Sequence, residues 1–256
     1  MKKISILFLL AMIFQTSFSQ MSIGGRAVYI GGKVGVNVST VSNNLPGFPL
    51  GSFGIHKKAK EEAEGAIRSE ISGRLKTGLQ AGIILDFPAT DRLHVQPGII
   101  FFQYGCKMKA EISKPIPDTD PVKRETTDVM KASVTLNYIQ IPLVFQYKKE
   151  RVRSARLIQA GPYIGIGLGG KMKEKYFENG GDLKYTGGWQ IPMGSNNELY
   201  DYSNVDYGVT AGFGWQFRSV QAMLNYNFGL KNINMNYSAY SPRVYNSGVA
   251  ITLTFL

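Results

Sequence analysis

The chain has 256 residues, a formal net charge of +11, 29 glycines, 12% aromatic residues and one cysteine. A lone cysteine excludes an internal disulfide, and no window after the N-terminal run approaches the apolar length of a membrane helix. Many short alternating runs rich in glycine and aromatic residues point instead to an all-β chain.

The first residues set the compartment. Met1-Lys2-Lys3 precedes an apolar run, Ile4 to Phe14, and a small-x-small site, Ser17-Phe18-Ser19. This is the pattern of a secretory signal peptide over residues 1–19, cut before Gln20 and leaving one domain over 20–256. A run of eleven residues is too short to cross a bilayer as a helix. The basic charge of an exported chain meets anionic lipid headgroups first, so no nucleic-acid partner is expected.

Eight alternating segments follow, near 28–40, 75–88, 93–109, 134–148, 155–175, 206–217, 220–233 and 247–256. The connections 41–74, 110–133, 176–205 and 234–246 are long, whereas Ala89 to Arg92, Lys149 to Ser154 and Arg218-Ser219 are tight. Strict alternation of long and short is the asymmetry of an outer-membrane barrel, with short periplasmic turns and longer outer loops. The sequence therefore predicts an all-β, eight-stranded antiparallel up-and-down transmembrane β-barrel with four long outer loops and three short periplasmic turns. A soluble lipocalin-like carrier is the structural alternative.

Side chains along a strand point alternately to its two faces. In the central segment Ile139, Ile141, Leu143, Phe145 and Tyr147 share one face. The matching faces elsewhere carry Leu79, Ile83 and Leu85, then Val209, Phe213 and Trp215, then Val249, Ile251 and Leu253. Each such face ends on an aromatic, Phe87, Tyr147, Phe217 or Phe255, which together predict a periplasmic aromatic girdle. The opposite parity reads as a lumen lined by Gln80, Gln96, Tyr138, Gln140, Gln159, Tyr163, Thr210, Asn225 and Asn227, with glycines between them. Lys33, Lys76, Asp86, His94 and Lys231 add charge near its ends, and Asp86 and His94 flank the first tight turn within reach of each other. Eight strands make a barrel just wide enough for its own side chains to fill, so open diffusion is not expected.

Segments 93–109 and 155–175 exceed the roughly ten residues of a tilted crossing, and their excess is expected beyond the outer leaflet. There Lys107 and Lys109 have outward parity and are candidate contacts for lipopolysaccharide phosphates, whereas Lys171, Lys173 and Lys175 read as inward. In the first loop, Lys57 with Glu61 and Lys60 with Glu64 have the spacing of a short surface helix. Tyr185, Trp189, Tyr200 and Tyr202 give the third loop a composition suited to contact surfaces, and equally ordinary for a loop.

Five stretches carry a family resemblance: YIQIPLVFQYK at 138–148, LIQAGPYIGIGLGGK at 157–171, DYGVTAGFGWQF at 206–217, LNYNFGLKNI at 224–233 and SGVAITLTFL at 247–256. With its Tyr-x-x-Ile-Pro-Leu and Ala-Gly-Pro-Tyr strands, the chain resembles the PorT-like outer-membrane β-barrel family of Bacteroidota. The resemblance implies an eight-stranded barrel and an outer-membrane destination, and some members of that family serve gliding motility and type IX secretion. Gln140 stands where the family often has an acidic residue, and Phe255 is penultimate where an assembly signal usually ends on an aromatic.

Catalytic chemistry is not apparent. Gly165-x-Gly167-x-Gly169-Gly170 mimics a dinucleotide fingerprint but lies inside an alternating strand, where no helix N-terminus can receive a pyrophosphate. The two histidines, His56 and His94, fall in the first loop and near a periplasmic turn, too far apart for a metal site or a catalytic group at the outer rim. No cofactor or metal is expected. The expected function is a non-enzymatic structural or adaptor protein of the outer membrane, contacting an envelope partner through loops 41–74 and 176–205. A narrow porin-like channel and a lipid-modifying enzyme are the alternatives.

Overall fold

The computed structural model describes residues 20–23, 26–42, 68–115, 125–151, 154–178, 181–194, 202–235 and 243–256. The predicted signal peptide, His56, Tyr200 and the predicted helix from Lys57 to Glu64 lie outside these residues.

Among the described residues ten strands form: β1 (Gln20–Ile23), β2 (Arg26–Ser42), β3 (Arg68–Pro88), β4 (Leu93–Pro115), β5 (Glu125–Arg151), β6 (Ser154–Glu178), β7 (Asp182–Ile191), β8 (Val205–Phe217), β9 (Val220–Gly229) and β10 (Tyr245–Phe255). All pair antiparallel. Neighbours run β2-β10-β9-β8-β6-β5-β4-β3, and β3 pairs back onto β2, so the ladder closes into a ring. A closed ladder leaves no unpaired edge along its paired length, which is the condition for a sheet in lipid. β1 folds back on β2, and β7 pairs β6; both stand off the ring.

Tight connections gather at one end. Ala89 and Thr90 donate backbone hydrogen bonds to the Leu93 carbonyl at 2.8 and 3.0 Å, and the Thr90 hydroxyl accepts from Leu93 N–H at 2.9 Å. In the two-residue turn before β9, Arg218 takes φ 53°, as the twist of a short hairpin demands. Leu256 N–H bonds the Ser219 carbonyl, so the last residue lies at this same end.

The other end departs from the predicted boundaries. Residues 110–115 and 125–133 continue β4 and β5 rather than forming a loop, 68–74 belong to β3, and the span 176–205 contains β7. These stretches are polar, and polar alternation reads as loop in a sequence. Here cross-strand backbone hydrogen bonds and a few inward apolar residues, among them Val129, Ala132, Val134 and Met172, suffice to order them.

One irregularity changes which face a residue occupies. Asn137 pairs Gly169 while Tyr138 pairs Gly167, so Leu168 is an extra residue, and Gly169 takes φ +122°. This is a β-bulge with a glycine where a side chain would be strained. Before it the exposed residues of β6 are Ile164, Ile166 and Leu168; after it they are Lys171, Lys173 and Lys175. The inward placement read from the sequence for these lysines is thereby corrected: one inserted residue inverts the parity of everything beyond it.

Candidate functional site: an apolar belt around a filled lumen

The belt is built from the outward parity of each ring strand. Leu79, Ile83, Ile99, Ile141, Leu143, Phe145, Ile158, Ile164, Val209, Phe213, Trp215, Ile251 and Leu253 are all exposed, with Ile158 at 65%. An ordinary soluble surface scatters such residues singly; a contiguous apolar band marks contact with something other than water. At the turn end of the same outward face stand the four girdle candidates. Tyr147 and Phe217 are exposed, while Phe87 and Phe255 are half-buried.

Inside the ring the polarity is reversed. Gln80, Gln96, Tyr138, Gln140, Gln159, Tyr163, Thr210, Asn225 and Asn227 are all buried on the inward face. Nearest the turns, Asp86 is the hub. Its carboxylate lies 3.0 Å from His94 Nδ1, accepts from Gln96 Nε2 at 3.1 Å and from Lys148 Nζ at 3.3 Å. Gln96 also bonds Gln146 at 3.2 Å, and Gln146 donates to Gln159 at 3.1 Å and exchanges hydrogen bonds with Gln221. Gln159 in turn donates to Asn225, which donates to the Thr252 hydroxyl at 3.1 Å. One continuous chain of amides thus links β3, β4, β5, β6, β9 and β10 across the interior. Each member of this chain is matched by another, which removes the desolvation cost of leaving it unpaired.

Above this layer a cavity lined by Lys33, Gln80, Gln140, Gln159, Tyr163 and Asn225, among others, measures ≈ 20 Å³. That is room for about one water molecule. Higher still, Gln140 donates to the Tyr104 hydroxyl at 2.9 Å, and Asn246 donates to Asp206 at 3.0 Å. The far end is closed by an apolar cluster that includes Phe102, Tyr104, Leu136, Tyr138, Met172, Ile191, Ile233 and Val244. Ile233 is drawn in by backbone hydrogen bonds to Ser203 and Val244, both 2.8 Å. Lys148, Asp206, Gln221 and Thr252 are absent from the lumen set read from the sequence, although the same alternation places them inward.

Lys107 and Lys109 lie on the outward face of β4, Lys107 exposed and Lys109 half-buried and ion-paired with Glu111. The glycine cluster 165–170 lies within β6, and Tyr185 and Trp189 within β7. Cys106 is buried in the apolar cluster. Among the described residues no three His, Cys, Asp or Glu side chains come together as a metal-ligand group.

No curated protein sequence matches the chain. Among solved structures, the translocator domain of autotransporter NalP from Neisseria meningitidis is similar over 100% of this chain and 95% of that one, at 7% identity and a TM-score of 0.22. Likeness at that level carries no argument about fold. The sequence does match the family described as outer membrane protein beta-barrel domain, over residues 15–234. An antiparallel ring with its apolar side chains turned outward is what such a domain requires, and the chain belongs to the outer membrane protein beta-barrel domain family, an integral protein of the outer membrane.

Proposed function

We propose that this protein is a non-enzymatic, eight-stranded transmembrane barrel with a structural or adaptor role, presenting its outer segments to an envelope partner. The inversion of burial carries this reading. Ile158, Phe213 and Leu253 face outward while Gln146, Gln159 and Gln221 are buried within, an arrangement whose stable surroundings are hydrocarbon. The end with tight turns is assigned to the periplasm, and the end where β4, β5 and β6 overrun to the outside. Membership of the PorT-like barrels of Bacteroidota, with export by the leader at 1–19, belongs to the same proposal. It is supported by Tyr138-x-x-Ile141-Pro142-Leu143 and Ala160-Gly161-Pro162-Tyr163.

Recognition is assigned to the spans 41–74 and 176–205, the second of which includes the exposed Leu183 and Tyr185 of β7. The test is affinity capture of detergent-solubilised protein from its own envelope, with and without residues 43–67. A shared partner lost with the deletion supports the adaptor role; an unchanged set of captured proteins counts against it. The deletion stops at 67 because Arg68 onward pairs with β4.

A narrow channel is the second reading, and the ≈ 20 Å³ interior cavity weighs against it. Planar-bilayer recordings should show no reproducible conductance steps, and regular steps would reinstate the channel. Lipid modification is the third: overproduction should leave the lipid A profile unchanged.

A further inference from the structure

We infer that the outward face where β4, β5 and β6 rise past the apolar belt binds the phosphorylated headgroup of lipopolysaccharide in the surrounding leaflet. This rests on the transmembrane reading proposed above.

The register sets cations side by side. Lys109 opposes Lys131, and Lys131 opposes Lys175, so three lysines stand in one row across three strands. In a neighbouring row Arg74 opposes Lys107, and Lys107 and Lys173 flank Ser133. Lys171 opposes Thr135. Paired strands lie about 4.8 Å apart, and like charges placed directly opposite each other destabilise a sheet. Internal compensation is slight. Lys109 pairs with Glu111, and Lys131 lies 4.5 Å over the Phe177 ring. Lys107, Lys171, Lys173 and Lys175 have no acidic partner among the described residues. Glu174 lies on the opposite parity, half-buried, with its carboxyl held above the ordinary range by that burial. The described residues thus leave these rows short of counter-anions, and a bound anion would supply them.

A concavity adjoins them. β6 pairs β8 as far as Ile166 and β7 from Gly170 onward, and the bulge falls in the gap. The notch there has a volume of ≈ 360 Å³ and is lined by Asn137, Leu168, Gly169, Lys171, Gln190 and Met193, among others. Leu168, 59% exposed, is the last apolar residue of the belt on this strand. Amides and a cation thus begin where the apolar surface stops. An amphiphile whose chains lie along the belt and whose phosphates reach the lysines fits both parts; free phosphate uses only one.

The test uses the full chain in phosphatidylethanolamine nanodiscs doped with lipid A that carries both phosphates, with retained lipid A counted per barrel by native mass spectrometry. The parent should retain at least about thirtyfold more than Lys131→Glu/Lys173→Glu, as expected for losing two surface cations that face an anion. Lipid A stripped of phosphate should be retained no better by the parent than by the variant, and inorganic phosphate should not displace the intact lipid. Charge reversal breaks up the lysine rows, so the variant should keep its heat-modifiable migration. Equal retention by parent and variant overturns the site, and displacement by inorganic phosphate overturns the lipid as its occupant. Failure of the parent to enter nanodiscs removes the transmembrane reading itself, and this inference with it.

Discussion

Asp86 shows how much one side chain can organise. Its side chain is 2% exposed and engages His94 and Gln96 of β4 and Lys148 of β5. Asp86→Ala deletes the opposite charge beside a buried lysine, a change that costs about 3–5 kcal/mol; the urea midpoint of folded protein in vesicles should fall accordingly. Gly208 is constrained by space rather than charge. A Cβ there would stand 2.0 Å from the Phe228 carbonyl oxygen and 2.8 Å from the Tyr163 ring. Gly208→Val should therefore destabilise by about 1–3 kcal/mol or more through overpacking, read as loss of the compact band in unheated electrophoresis. At this scale the sequence was a good guide to direction and a poor one to partnership. Alternation put Asp86 and Gln159 inward, but it says nothing of which amide on a facing strand, tens of residues away, completes the chain.

Strands were legible where their two faces differ in chemistry. From Ile139 to Tyr147 the contrast is strong, and β5 covers the predicted segment in full. Beyond the belt both faces are polar, so 125–133 and 182–191 look like loop although they are paired. Parity failed for a different reason. The bulge at Leu168 and Gly169 is invisible to a count of every second residue, and only the glycine run hints at it. Gly169→Val, forced to keep φ near +122°, should cost about 1–3 kcal/mol. Its signature would be altered labelling of a Lys173→Cys variant by a bulky water-soluble maleimide. Without the glycine change, the introduced thiol should react readily, with Cys106 buried and silent; its protection there would contradict the outward placement.

For the molecule as a whole, the legible feature was alternation of long and tight connections, which follows from building every turn at one end of a ring. The filled interior was legible only in part: composition gave amides near the turns but not the apolar closure around Leu136 and Ile233. Leu143→Arg, Phe213→Arg or Leu253→Arg should each reduce folded stability in bilayers by about 2–4 kcal/mol, measured by urea titration in vesicles. A chain surrounded by water would be indifferent to all three.

β4, β5 and β6 run 23, 27 and 25 residues, whereas β8, β9 and β10 run 13, 10 and 11. Among the described residues the paired wall is therefore high on one flank and low on the other. A neighbour drifting in the plane of the membrane meets a tall paired wall from one bearing and a shorter one from another. Any protein that docked against this wall would depend on compass direction as well as on surface chemistry.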